Sequence, residues 1–123
     1  MFDRAAALDK AFRTRLSHPN TAEPLSGGLS DAQWRDVFET QLMIRHLDFI
    51  ARRTKGKTFY SIGSSGHDAM AAVAMASRLT DMAFLHYRDA GFCLQRRKTV
   101  KGATPLYDMM LSFAASSEDP VSG

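Results

Sequence analysis

Six residues, Met82 to Tyr87 (MAFLHY), form the one short buried-strand pattern in a sequence otherwise patterned for helices. Their length and apolar content suit a strand enclosed within a sheet. A lone strand has no partner for its backbone N–H and C=O groups, and burying such groups unpaired is costly. The expected fold is therefore mainly α, about five helices with one short strand, and that strand belongs to a sheet whose other members lie elsewhere.

The helical segments follow from spacing. Phe2, Ala5, Leu8, Phe12 and Leu16 recur every three or four residues and predict an amphipathic first helix that needs something to pack on. Ser17 to Gly28, with two prolines and two glycines, reads as a linker or long loop. Ser30 and Gln33 make a capping box. The longest helix should follow it to about Arg53, with Gly56 as its stop. KTFYSIGSSG, Lys57 to Gly66, suits an irregular or extended connection. Ser65 to Asp68 offer caps for HDAMAAVAMASRL, a helix apolar nearly all round and so expected to be enclosed. DAGFCLQRRK resumes a helical pattern, and Thr104 with Pro105 predicts an N-cap and first turn for a last helix bearing Leu106, Met109, Met110 and Phe113.

A chain of 123 residues buries roughly two thirds of the surface its unfolded form exposes, enough for one core. With 45% hydrophobic and 24% charged residues it falls outside the signature of disorder. No apolar run approaches the ~20 residues that span a bilayer, so the expectation is a soluble cytoplasmic protein with no membrane partner. Cys93 is the single cysteine and reads as core packing. Basic residues cluster in Arg52 to Lys57 and in Arg96 to Lys101. With a net charge of only +3 these runs read as solvated helix ends, and no nucleic-acid partner is expected.

Candidate chemistry centres on HYRD. In an extended strand Tyr87 and Arg88 would face opposite sides. A turn there would let both lean over the strand's C-terminal end, beside a helix N-terminus that favours anions. A guanidinium fork and a phenol suit a phosphate group. The residue types alone favour a plainer reading, in which Arg88 pairs with an acid, Tyr87 packs in the core and Asp89 caps the helix. SIGSSGHDA is a small-residue turn whose amides could cradle an anion, although turn structure is its first role. His18, His46, His67 and His86 show no metal-ligand spacing, so no metal site is expected among them.

The stretch FYSIGSSGHDAMAAVAMASRLTDMAFLHYRDAGFCLQRR, Phe59 to Arg97, resembles the start of the alpha part of thiamine-diphosphate-dependent 2-oxo acid dehydrogenases. The resemblance extends back through QLMIRHLDFIARR, Gln41 to Arg53, and forward to EDPVSG, covering most of the chain after Ser30. The FY and SSGH details look more like the branched-chain or fused alpha-beta forms than the pyruvate form. It implies that residues 1–29 are an N-terminal helix and linker, and that 30–123 are the incomplete N-terminal part of an α/β thiamine-diphosphate-binding domain. It also implies that Tyr87 and Arg88 bind the cofactor's diphosphate, that His86 lines the same pocket, and that Phe59, Tyr60 and Ser61 lie near the substrate side.

The enzymes so resembled decarboxylate a 2-oxo acid oxidatively and pass the acyl group to a lipoyl arm. The partners implied are a beta part, separate or fused, and a lipoyl acyltransferase, in an oligomeric complex. Two departures stand out. Asp68 occupies the place of a usual glutamate, and no Gly-Asp-Gly followed by Asn occurs, the motif that supplies the family's magnesium ligands. Those ligands are expected downstream, no residue here is expected to be catalytic, and the chain reads as an N-terminal fragment or truncated copy, inactive alone. The rival readings are a non-catalytic helical assembly module and a basic nucleic-acid-binding domain.

Overall fold

Ser30 opens the longest helix in the way its spacing to Gln33 predicts. The Gln33 backbone N–H donates to Ser30 Oγ at 3.3 Å and the Ser30 N–H donates to Gln33 Oε1 at 2.9 Å, closing the capping box. The computed structural model describes residues 3–18, 28–54, 56–57 and 63–120 of the chain. These form five helices: α1 (Arg4–Ser17), α2 (Asp31–Arg53), α3 (Met70–Ala76), α4 (Ala90–Arg97) and α5 (Pro105–Phe113). None of them is long and apolar enough to cross a membrane.

α2 is the axis of the fold. Val37, Thr40, Ile44, Leu47 and Ala51 recur at alternating steps of three and four and are all buried, forming one stripe along the helix. Ile44 and Leu47 meet Leu94 of α4, and Met109, Met110 and Phe113 of α5 pack against that cluster. α1 reaches the same helix through Phe12, which lines a cleft of about 320 Å³ together with Phe38, Leu42, Arg45 and Asp68.

Two buried polar residues cross the α2–α4 contact. Thr40 Oγ1 donates to Gln95 Oε1, and Gln95 Nε2 donates to Asp36. Lys98 closes the network on Asp36 at 2.5 Å and on Glu39 at 3.1 Å. Burial alone would push the Asp36 carboxyl up, but Lys98 and Gln95 outweigh it and hold it below its ordinary value. Arg97 pairs with Asp108 at 2.7 Å, and one Arg96 nitrogen is shared by the carbonyls of Arg78, Leu79 and Asp81. Three of the basic residues in the Arg96 to Lys101 run thus fasten helices and turns to one another, where the sequence suggests solvated helix ends.

α3 is shorter than its apolar sequence suggests. Ala71 and Ala74 bury one face against α2 and α4, while Val73 remains exposed, so the helix is enclosed on one side only; Leu79, beyond its end, is exposed as well. Close approach is what the small residues allow: a Cβ added to Gly91 would lie 3.3 Å from the Asp68 carbonyl oxygen and 3.6 Å from the Ala71 nitrogen. The anticipated caps differ too. The N-cap of α3 is Ala69, without a side-chain bond, because Asp68 is drawn into an ion pair with Arg45 at 2.6 Å. Thr104 stands at the N-cap of α5 before Pro105, but its hydroxyl donates to Asp108 Oδ1 instead of accepting a backbone N–H.

The expected strand is a correction. Residues 82–86 belong to no strand, and none occurs among the described residues. Met82 and Phe84 are 85% and 96% exposed, and Leu85 is exposed as well. The apolar pattern records which side chains favour burial, whereas a strand also needs a neighbour to pair with, and no second extended segment lies beside this one among the described residues.

Candidate functional site

The turn that follows this open segment is built around a buried carboxylate. Asp89, at the N-cap of α4, makes no side-chain cap bond. Its Oδ2 accepts the His86 backbone N–H at 2.8 Å, while its own N–H donates to the His86 carbonyl at 2.9 Å, so the four residues His86 to Asp89 close on themselves. Its Oδ1 bonds His67 Nδ1 at 2.7 Å. The bond to His67 is the main reason that the Asp89 carboxyl sits below its ordinary value, and it overcomes the opposing effect of burial.

This closure carries Tyr87 and Arg88 to a common place. The Arg88 guanidinium carbon lies 5.2 Å from the centre of the Tyr87 ring, and the His86 ring is tilted against Tyr87 with centroids 3.9 Å apart. His86 Nδ1 accepts the Arg88 backbone N–H at 3.3 Å, and His86 stacks on His67 at 5.4 Å. Arg88 Nη1 donates to the Gly63 carbonyl at 2.6 Å, which takes one of the five N–H donors a guanidinium carries. Tyr87 is 65% exposed, and its hydroxyl makes no hydrogen bond among the described residues. A cleft of about 250 Å³ flanks the turn, lined by Ser64, His86, Tyr87, Asp89, Cys93 and Phe113.

The loop before α3 is anchored from α2. Both carboxylate oxygens of buried Asp48 accept the Ser64 N–H, at 2.9 and 3.0 Å. At Ser64, then, the anion cradled by the SSGH turn is the protein's own. From there the connection runs through His67 to Asp89 and on to the HYR turn, which ties that turn to the long helix. Cys93 is half-buried beside it, with its thiol pushed up by burial and by the Asp89 charge.

All three parts of the plainer reading of HYRD differ from the structure. Arg88 meets a carbonyl instead of an acid, Tyr87 is exposed, and Asp89 braces the turn instead of capping α4. The structure brings His86, Tyr87 and Arg88 together. Phe59, Tyr60 and Ser61 lie outside the described residues. The sequence assigns His67 no site role and does not show the bracing by Asp89; the available signal is the three-residue spacing from His86 to Asp89, which also suits an aspartate bonding back to a turn amide. Among the described residues no group of three or more His, Cys, Asp or Glu side chains could hold a metal ion.

The lowered Asp89 carboxyl has a consequence in acid. A group with a depressed folded value binds protons less readily folded than unfolded, so its stabilising contribution is complete above the unfolded value and is lost as pH falls through the folded one. Asp89→Asn is therefore expected to lose melting temperature less steeply than wild type below about pH 4. Circular dichroism melts across that range check this, and equal slopes would remove Asp89 as an acid-sensitive brace.

Comparison with protein-family models, with curated proteins and with solved structures finds no match.

Proposed function

We propose that the chain is part of the alpha component of a thiamine-diphosphate-dependent 2-oxo acid dehydrogenase, in which Tyr87 and Arg88 supply one side of the diphosphate site. The observation that carries this reading is the braced turn, with its guanidinium over a phenol at the start of α4. The residues fit an oxyanion. Among the described residues Arg88 keeps donors beyond the one given to Gly63 and the Tyr87 hydroxyl has no partner, and the N-terminal end of a helix favours negative charge.

In this role Arg88 offsets charge and fixes orientation through its planar fork, Tyr87 adds one directional donor, and His86 lines the pocket. Asp89 and Gly63 hold these groups in place. When bound, thiamine diphosphate supplies the electron sink for decarboxylation, and its magnesium ligands come from outside this chain. The Asp68 departure from the family's glutamate serves structure, since that carboxylate pairs with Arg45. The beta part, the acyltransferase and the 2-oxo acid are the partners of this reading, in a cytoplasmic complex. Titration with inorganic pyrophosphate, followed by NMR, should shift amide signals from His86 to Gly91. Shifts scattered over the surface, or none, would overturn it.

A second reading, a non-catalytic helical assembly module, is favoured by the exposed extended segment with Met82, Phe84 and Leu85. It predicts association through that segment with no pyrophosphate response. Engagement of Arg96, Arg97 and Lys98 within the protein takes one of its two basic runs from the nucleic-acid reading, while Arg52, Arg53 and Lys57 of the other are exposed.

A further inference from the structure

We propose that His67 sets the charge beneath the Tyr87–Arg88 turn, so that oxyanion affinity there falls as His67 loses its proton. The inference rests on the reading of the turn as an oxyanion site and adds its regulation. Its basis is the buried Asp89 carboxylate, which follows Arg88 in the chain and is bonded to His67. For an incoming anion, the arginine and the aspartate oppose one another. With His67 protonated, the His67–Asp89 pair is neutral and the Arg88 charge faces the anion; with His67 neutral, Asp89 offsets Arg88.

The other charged and titratable groups around the cluster do not take this role. His86 accepts the Arg88 N–H at Nδ1, gives its backbone N–H to Asp89, and stacks its ring on His67. From α2, Arg45 is paired with Asp68, the residue after His67, and Asp48 is held by the Ser64 N–H. Burial pushes the Asp68 carboxyl up, against the pull of Arg45. Cys93 of α4 is pushed up and stays a thiol. His67 is half-exposed, so solvent protons reach it. The measurement therefore spans about pH 5 to 8, where histidine side chains as a class change charge.

Sulfate is the probe, because it remains a dianion across this range whereas phosphate does not. Calorimetric titration of the full chain is expected to show sulfate affinity about three- to tenfold higher at the acid end, the scale of one charge acting through a partly screened medium. His67→Gln, which can still donate to Asp89, should flatten the profile although His18, His46 and His86 remain. Asp89→Asn should flatten it too, and bind more tightly than wild type at the alkaline end. In two buffers of different ionisation enthalpy, wild type should take up a fraction of a proton on binding sulfate.

Wild-type affinity that depends on Arg88 but not on pH would overturn the inference and leave the site standing, as would a His67→Gln profile as steep as wild type. No sulfate binding, or equal binding by Arg88→Ala, would overturn the site and the inference together. Should the glutamine variant not fold, proton uptake by wild type decides, and its absence overturns the proposal.

Discussion

Arg88→Ala is expected to weaken binding of thiamine diphosphate by about ten- to a hundredfold, the scale of one charge-assisted hydrogen bond lost from an anion site. Among the described residues the side chain has one hydrogen bond, to the Gly63 carbonyl, and the turn is braced independently by Asp89. The fold should therefore survive the change, and affinity should carry most of the effect. Arg88→Lys separates charge from geometry: an ammonium keeps the charge but lacks the planar fork, so an intermediate loss is expected. Calorimetry reads both variants, and unchanged affinity in the alanine protein would sink the assignment.

Leu94→Ala should cost about 2 to 5 kcal/mol of folding stability, the range for emptying a fully buried leucine site. Leu94 is 1% exposed and sits between Ile44 and Leu47 of α2, with Met109, Met110 and Phe113 of α5 packed against the same cluster. Truncation removes the contact on which three helices converge. Against the roughly 5 to 15 kcal/mol of a typical domain that is a large share, and the midpoint of urea unfolding should fall accordingly. A loss below about 1 kcal/mol would show that the α2–α4–α5 contact is not the main core.

The helices were legible because their signals are local. Ser30 and Gln33 announce the start of α2 by spacing alone, and Pro105 marks the first turn of α5. The 3.6-residue period likewise marks Val37, Ile44 and Leu47 for burial, although Phe38 and Ile50, equally apolar, stay exposed. Long-range partners were not legible. Asp68 suits a cap by its position and is an ion-pair partner of Arg45, 23 residues away. Asp89 suits a cap by its position and braces the turn through His67, 22 residues away. In both cases a carboxylate had a local option, and a partner brought near by the fold took it instead.

The residues of the candidate site were named from the sequence, but their arrangement was not. Nothing in MAFLHYRD states that the strand pattern remains open or that Tyr87 and Arg88 share one side. That second point depends on a carboxylate three residues beyond His86, fixed by an imidazole from another loop, itself anchored near Asp48 of α2. By itself the sequence determined the starts of α2 and α5, the helical course of α2 and the placing of a cation beside a phenol, since backbone periodicity and capping act within a few residues. The tertiary structure alone decided which polar groups meet and which apolar side chains stay exposed, because those outcomes depend on what folding brings within reach from distant parts of the chain.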